Sequence, residues 1–589
     1  MEVLKAVMSE EKPYLYEFGP FRLDAAKNLL FRDGEIVPLT PKVFDTLRVL
    51  VERSGEQLTK DRLISEVWEG AVVEETNLTT NVSHLRKALG EKKHEHQYIL
   101  TIPGGGYRFV AAVKAVHAAP NVPAIVRAAS IRSIAILPFK PLIADNRDES
   151  LELGMAETLI TRLSGLKEIV VRPMSAVRRY NGLEQDAIAA GRELQVESVL
   201  DGSLQRAGDK LRVTVRLVRV AEGQTLWAES FDEKFTDIFT VQDQVAARVV
   251  GLLAVKLTGA EQMLLTKRYT ENPEAYQLYI KGRYFWDKFT PADHRRAIEF
   301  FNHAIGKDPA YALAYTGLSD TYAASSTNGW IASTEGYPRA KEMVKKALQL
   351  DDTLSEAHTS FGAIAMFYDL DWATAEREYK RAIELNPNYA IAYELYSYLQ
   401  SATGRPDEAI EMAKRALGND PLSALLSEDA ALACYLARRY DEAIQQYQKT
   451  IRLDPSYASA YFNMGRVFGQ KAMYDEAHAA YQKAINASER TPAILAALGH
   501  TYAVSGRRGE ALRILDELKE MSRQNYVSPY DLAILYTGLG ETDRAIEQLG
   551  KAYEQRAGWI INLKVEPLFD PLRRDPRFAE LVGRLGLPQ

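Results

Sequence analysis

The stretch Tyr440-Asp441-Glu442-Ala443-Ile444 recurs in related form along the second half of the chain, at an interval of 34 residues. Related stretches are Pro406-Asp407-Glu408-Ala409-Ile410 and Tyr474-Asp475-Glu476-Ala477. Three series of residues share this interval: Ala375, Ala409, Ala443, Ala477, Ala511 and Ala545; Pro387, Pro421 and Pro455; Ala431, Gly465 and Gly499. A period this regular indicates a repeated structural unit.

Each unit is predicted to be a pair of antiparallel helices. Small residues let the two helices approach closely, and the proline ends the second helix because it cannot continue it. A single hairpin leaves an apolar face uncovered, so the units are stable only when stacked. The period and these residues resemble the tetratricopeptide repeat. We predict about eight repeats over residues 273–556, an insertion within 325–336, and a C-terminal cap over 557–589.

Residues 14–113 have a different pattern, which predicts a small antiparallel sheet, three helices and a hairpin. Asp33-Gly34 is a hairpin turn signal between two strands. Thr40-Pro41 opens the first helix with an N-cap and a proline in the first turn, and Thr59 caps the second. The third helix is predicted over 75–89, and Gly104-Gly105-Gly106 forms the tip of the closing hairpin.

The third helix has one apolar and one polar face. Its apolar residues follow helical spacing: Leu78, Val82, Leu85 and Leu89. The opposite face carries amides, a hydroxyl and an imidazole, which suit hydrogen bonding to base edges in the major groove: Asn77, Thr80, Asn81 and His84. Arg86 and Lys87 follow at the C-terminal end, where they could pair with phosphates. The alternative is an ordinary solvated face, and the surrounding pattern favours DNA contact.

This region resembles the winged-helix effector domain of the OmpR/PhoB family. The resemblance rests on Val82-Ser83-His84-Leu85-Arg86-Lys87-Ala88-Leu89 and on Gly106-Tyr107-Arg108-Phe109. It implies that the third helix enters the major groove of double-stranded DNA and that the hairpin wing reaches the minor groove. It implies base contacts from Asn77, Thr80, Asn81 and His84, phosphate contacts from Trp68, Arg86, Lys87, Thr101, Tyr107 and Arg108, and dimerisation on tandem DNA sites.

The sequence departs from that family at Pro103, where a minor-groove arginine is common, and at Thr76 and Ser83, where the family has basic residues. These departures predict few phosphate contacts, a modest affinity and a shallow salt dependence. The net charge of −6 excludes a chain that is basic throughout. Residues 76–113 are nonetheless locally basic, with five Lys or Arg against two acids, a balance of +3.

Composition and apolar patterning predict a soluble, cytoplasmic protein without a membrane segment. The N-terminal residues carry charges of both signs and do not resemble a signal peptide. The most apolar stretch, 109–126, is interrupted by Lys114, His117, Pro120 and Pro123. The single cysteine, Cys434, lies in an apolar helical context that fits a reducing compartment.

A linker over 114–130 leads to an α/β domain predicted over 131–258. Its stretches Asp201-Gly202-Ser203 and Leu226-Trp227-Ala228-Glu229 resemble the TolB N-terminal-like domain, which accompanies regulators and adenylate cyclases of similar layout. The sequence contains no phosphate-binding Gly-x-x-x-x-Gly-Lys loop, no His-Glu-x-x-His and no Gly-x-Ser-x-Gly. We therefore expect no cofactor, no metal site and no catalytic residues.

The predicted fold is multidomain, α+β and all-α: a winged helix-turn-helix, an α/β TolB-N-like domain and a tetratricopeptide α-solenoid. The predicted function is a sequence-specific DNA-binding transcriptional regulator whose repeats bind a protein or peptide partner or signal. The alternative is an interaction scaffold with a non-specific or vestigial winged helix, which the weak basic character and Pro103 favour. An enzyme resembling the cyclases is disfavoured because the winged helix occupies the place of a cyclase domain.

Overall fold

The computed structural model describes residues 15–25, 29–32, 35–37, 39–68, 75–91, 96–103, 105–116, 131–141, 148–182, 186–253, 257–288, 290–328, 330–488, 490–523 and 526–588. The chain forms two compact units, residues 1–127 and 128–589. The predicted Asp33-Gly34 turn and most of the predicted linker lie outside the described residues. None of the helices in the described ranges is long and apolar enough to cross a bilayer.

The described residues of the first unit form three helices and two antiparallel sheets. The strands are β1 (Leu15–Phe18), β2 (Phe21–Asp24), β3 (Leu29–Arg32), β4 (Glu35–Val37), β5 (Gln57–Leu58), β6 (Ile99–Ile102), β7 (Gly106–Phe109) and β8 (Lys114–Val116). The helices are α1 (Pro41–Glu52), α2 (Lys60–Trp68) and α3 (Glu75–Ala88). The strand orders are β4-β3-β2-β1-β8 and β5-β7-β6. Strand β8 pairs with β1, so the sheet continues beyond the predicted boundary at residue 113.

The core of this unit lies between the three helices and the two sheets. It contains Phe18 and Phe109, whose rings meet edge to face with centroids 5.0 Å apart, and Leu47, Leu63 and Leu85 from the three helices. Thr59 caps α2 as predicted, with its hydroxyl 3.3 Å from the backbone nitrogen of Arg62. Thr40 stands at the N-cap position of α1, but its side chain makes no capping hydrogen bond.

The second unit begins with a mixed sheet. Its strands are β9 (Ser133–Ile136), β10 (Lys140–Pro141), β11 (Val170–Val171), β12 (Ser198–Ala207), β13 (Lys210–Arg219) and β14 (Gln224–Lys234). The order is β11-β9-β12-β13-β14, with β10 also pairing with β12. The accompanying helices are α4 (Glu149–Ser164), α5 (Met174–Val177), α6 (Ala187–Glu193), α7 (Ile238–Leu253) and α8 (Gly259–Thr266). The predicted α/β character of this region is confirmed.

Sixteen further helices in the described part of the chain form eight successive helical hairpins. They are α9 (Pro273–Trp286), α10 (Pro291–Lys307), α11 (Ala312–Thr327), α12 (Ser333–Leu350), α13 (Ser355–Ile364), α14 (Trp372–Leu385), α15 (Ala390–Thr403), α16 (Pro406–Asn419), α17 (Ala424–Leu436), α18 (Tyr440–Leu453), α19 (Ala458–Gln470), α20 (Tyr474–Ala487), α21 (Pro492–Val504), α22 (Arg508–Met521), α23 (Pro529–Gly538) and α24 (Thr542–Glu554). A last helix, α25, spans Pro576–Arg584.

The recurring small residues lie where two helices of a hairpin touch. Every alanine of the series that includes Ala443 is fully buried. A Cβ added at Gly465 of α19 would stand 2.7 Å from a ring carbon of Tyr481 on α20, which is itself buried. The 34-residue period therefore marks the positions at which a larger side chain would push the paired helices apart.

The α/β domain and the repeats are joined by buried polar contacts. Arg172 donates from Nη1 to the carbonyl oxygens of Gly418 (2.7 Å) and Asn419 (3.0 Å) at the end of α16. The pKa of Arg172 is lowered because burial disfavours its charge. Asn388, before α15, donates from its side-chain nitrogen to the carbonyl oxygens of Ser164 (2.8 Å) and Ile169 (3.0 Å). These contacts hold the two regions together as one unit.

The segment after α24, predicted as a cap, packs on the last hairpin and also reaches far earlier repeats. Arg577 forms an ion pair of 2.8 Å with Asp543 of α24. The indole nitrogen of Trp372, at the start of α14, donates to the carbonyl oxygen of Leu585 at 2.7 Å. The C-terminal segment therefore bridges the third and eighth repeats.

Two glycine-to-alanine substitutions are expected to change stability in opposite directions. Gly465→Ala should lower the free energy of unfolding by about 1–3 kcal/mol, because the added methyl group overpacks against Tyr481. Gly550→Ala, within α24, should raise it by about 0.5–1 kcal/mol, because nothing lies within 4 Å of the new Cβ. Thermal unfolding followed by circular dichroism checks both, and equal effects would contradict this packing account.

Candidate nucleic-acid interface

Helix α3 is held against α1, α2 and the β6–β7 hairpin by its apolar face. Leu78, Val82 and Leu85 are buried in the core of the first unit. At the start of the helix, Glu75 pairs with Lys60 of α2 at 2.8 Å, and this hydrogen bond raises the pKa of Lys60. The outward face of α3 is therefore presented at a fixed angle.

Three of the four predicted base-contacting residues lie on that outward face. Asn77, Thr80 and His84 are exposed, and Ser83 beside them is exposed too. The Thr80 hydroxyl donates to the carbonyl oxygen of Thr76 at 2.8 Å, one turn back, and its oxygen can still accept a hydrogen bond. The stripe thus presents amide, hydroxyl and imidazole groups to solvent.

Asn81 has a different environment from the other three residues. It is half-buried, and its side-chain nitrogen donates to the carbonyl oxygen of Lys42 and to the hydroxyl of Thr46, both at 3.1 Å. Thr46 is fully buried in α1. The amide nitrogen of Asn81 therefore fastens α3 to α1, which differs from the free base-reading amide that the helical pattern predicted.

Arg86 also makes its main contacts inside the domain. It donates from Nη2 to the carbonyl oxygen of Ile99 and to the hydroxyl of Thr101, both at 2.8 Å. Its Nε lies 3.4 Å from the buried carboxylate of Glu91. Glu91 in turn accepts from the backbone nitrogen of Ile99 at 2.9 Å. This network holds the hairpin strand β6 to the end of α3. Arg86 therefore has a structural role besides the phosphate contact that the sequence predicts for it.

The other predicted phosphate contacts differ in exposure. Lys87 and Thr101 are exposed, whereas Trp68 and Arg108 are half-buried. Tyr107 is only 4% exposed and belongs to the core, which departs from the phosphate contact predicted for it. Pro103 is exposed beside the tip of the hairpin. Helical spacing identified the faces of α3, but it carried no information on these contacts with α1 and the hairpin.

One glycine of the wing has a strict steric role. Gly106 has a φ of +103°, and a Cβ there would stand 2.0 Å from the carbonyl oxygen of Leu58. Strand β5 pairs with β7 in antiparallel orientation at this point, and Leu58 lies opposite Tyr107. Only glycine fits, because any side chain would collide with the neighbouring backbone.

Family models match three parts of the chain. Residues 34–109 match the model described as transcriptional regulatory protein, C terminal. Residues 34–109 therefore form an OmpR/PhoB-type domain within the first unit. Residues 130–248 match the HilA/YgeH-like transcriptional regulator, second domain, so the likeness to TolB remains a prediction. Tetratricopeptide repeat models match residues 378–411, 430–471 and 458–491. The chain thus joins transcriptional-regulator domains to protein-interaction repeats.

Similar proteins include regulators and one protein named as a cyclase. Transcriptional regulator HilA of Salmonella typhimurium is 25% identical over 69% of this chain and 71% of its own length. Putative adenylate cyclase 3 of Rhizobium meliloti is 31% identical over 38% of this chain and 39% of its own length. Transcriptional activator CadC of Escherichia coli is 32% identical over 16% of this chain and 19% of its own length. The match to the cyclase and that to CadC thus each span well under two thirds of the relative.

Solved structures resemble separate parts of the chain. The DNA-binding domain of Escherichia coli CadC is 29% identical, and the match covers 18% of this chain and 100% of that chain with a TM-score of 0.17. YrrB, a tetratricopeptide repeat protein with an unusual peptide-binding site, is 18% identical over 37% of this chain and 97% of that chain, with a TM-score of 0.25.

Two asparagines on α3 are expected to behave differently when changed to alanine. Asn81→Ala removes both hydrogen bonds to α1 and should cost about 1–2 kcal/mol of local stability, leaving the buried Thr46 hydroxyl without this partner. Asn77→Ala, on the exposed stripe, should change stability by less than about 0.5 kcal/mol. Hydrogen exchange of the α3 amides in the full chain measures both. Equal exchange rates in the two variants would show that the α1 contact is not stabilising.

Proposed function

We propose that α3 of the OmpR/PhoB-type domain enters the major groove of double-stranded DNA and selects promoter sequences through its exposed stripe. The observation that carries this proposal is the presence of Asn77, Thr80 and His84 together on one solvent-facing side of α3. Each can donate or accept hydrogen bonds at a base edge. Ser83 extends the same surface, and Asn81 acts mainly by positioning the helix.

Phosphate contact is assigned chiefly to Lys87, with Thr101 and Arg108 at the hairpin. Lys87 is exposed in the last turn of α3, beside the stripe. Arg86 holds the hairpin in place, so its contribution to DNA binding comes from positioning β6. Lys87 and Arg108 are the cations assigned to phosphate contact among the described residues of α3 and the hairpin. With two such contacts, the affinity for DNA should depend only weakly on salt, since each neutralised phosphate contributes about −0.9 to the slope of log K against log salt.

The repeats and the regulator domains together suggest a protein that works through its partners. The repeats bind a protein or peptide whose presence is coupled to transcription, and the protein acts in the cytoplasm. It acts by binding and not by catalysis, because regulator and repeat families account for most of the matched residues. Two copies on tandem DNA sites are expected from the resemblance to OmpR/PhoB regulators.

Two variants separate base reading from phosphate contact. Lys87→Ala should weaken binding to all DNA sequences similarly and reduce the salt slope by about 1. His84→Ala should leave the slope unchanged and reduce discrimination between the preferred site and a mutated site by about 1–3 kcal/mol. Fluorescence anisotropy titrations with a selected site and an unrelated duplex, each at several salt concentrations, give both quantities.

Lys114→Ala is the matched control, because Lys114 is exposed on β8 and not on α3. It should change neither the slope nor the discrimination. If Lys114→Ala reduces the slope as much as Lys87→Ala does, phosphate contact is spread over the domain and α3 has no special role. If no variant and no sequence change alters binding, the winged helix binds DNA without reading it.

A further inference from the structure

We propose that the face formed by the first helices of repeats four to eight recognises a peptide segment with three defined groups. These are a carboxylate, an aromatic ring three residues after it, and a second carboxylate four residues after the first. In the structure this face is occupied by residues 558–572 of the chain's own C-terminal segment, which such a partner must displace. The inference rests on the proposed binding of a protein or peptide by the repeats, and it names the chemistry of that partner.

The first carboxylate is that of Glu566, which is 2% exposed. Its Oε1 accepts a hydrogen bond of 2.6 Å from the hydroxyl of Tyr435 on α17. Its Oε2 pairs with the guanidinium of Arg466 on α19. Arg466 also stacks over the Tyr435 ring, with the guanidinium carbon 4.6 Å from the centroid. Two adjacent repeats thus build one site for a carboxylate.

The second carboxylate and the aromatic ring follow within one turn. Asp570 accepts two hydrogen bonds of 2.6 Å from the guanidinium of Arg438, which follows α17. The fully buried ring of Phe569 meets Tyr530 of α23 edge to face, with centroids 5.3 Å apart. A two-pronged guanidinium–carboxylate contact gives orientation as well as attraction. These contacts fix the register of the segment on the repeats.

The segment is held to this face by side chains, as a bound peptide would be. Its backbone between 558 and 572 forms two short 3₁₀ turns, Gly558–Asn562 and Pro567–Leu572, and joins none of the sheets formed by the described residues. Trp559 at its beginning is 52% exposed and meets Tyr398 of α15 edge to face. The curvature of stacked repeats creates extended concave surfaces, which repeat proteins use for binding.

Arg466 determines what can replace the segment. Removal of Glu566 would leave a buried guanidinium without the carboxylate that neutralises it, and such a loss is strongly unfavourable. A competing partner must therefore bring its own carboxylate to Arg466 and Tyr435. An apolar or basic peptide lacks this group and should not displace the segment.

Hydrogen exchange of the full-length protein tests the displacement. The chain is labelled uniformly with ¹⁵N, so its peptic fragments are distinguished by mass from an added unlabelled peptide spanning 557–589. The peptide is used at millimolar concentration, because a tethered segment competes at an effective concentration of that order. Two control peptides are used: one with Glu566→Gln and Asp570→Asn, and one of scrambled sequence with the same composition.

The proposal predicts that the unmodified peptide accelerates exchange at residues 558–572 of the chain by about tenfold or more, through opening of this segment alone. Both control peptides should leave the exchange rate unchanged. No acceleration by any peptide would show that the segment is a permanent part of the core. Equal acceleration by all three would show that carboxylates are not recognised. The assay contains no DNA and no outside partner, so its failure is distinct from failure of the proposed function.

Discussion

A helical hairpin of this type cannot cover its own apolar face. The structure of the second unit therefore depends on what covers the apolar faces of the first and last hairpins of the stack. At the first repeat, α9 packs on α4 of the α/β domain. A Cβ at Gly154 would stand 2.3 Å from the Ile280 side chain, so the absence of a side chain allows this contact. At the last repeat, α25 and the preceding segment cover α24. Each end is thus closed by a part of the chain that is not itself a repeat.

Because both ends of the stack are closed, the parts of the second unit differ in how they could respond to a ligand. The α/β domain is fastened to the fourth repeat through Arg172 and Asn388, so it cannot report on a ligand by moving freely against the repeats. The C-terminal segment is held to separate repeats through the exposed ion pair of Arg438 with Asp570 and the buried ion pair of Arg466 with Glu566. A partner bound as proposed would therefore act at the C-terminal segment more directly than at the α/β domain.

The sequence alone predicted the order of the domains, the eight repeats and the faces of α3, because each depends on local periodicity. Helical spacing placed Asn77, Thr80 and His84 correctly on the exposed side. It could not show that Asn81 contacts α1 or that Arg86 contacts β6, because those contacts join residues far apart in sequence. The path of residues 558–585 was also beyond prediction, since it depends on the curvature of the stacked repeats and on single pairs such as Arg466 and Glu566.

The proposed function requires that α3 reads DNA sequence through its exposed stripe. The most direct measurement is genome-wide DNA enrichment with the purified full chain, beside a variant carrying Asn77→Ala and His84→Ala. This pair avoids Asn81, whose loss would disturb the contact with α1. We expect the unmodified chain to recover fragments with a common sequence motif, and the variant to lose this motif while remaining folded. Recovery of the same fragments by both proteins would contradict it.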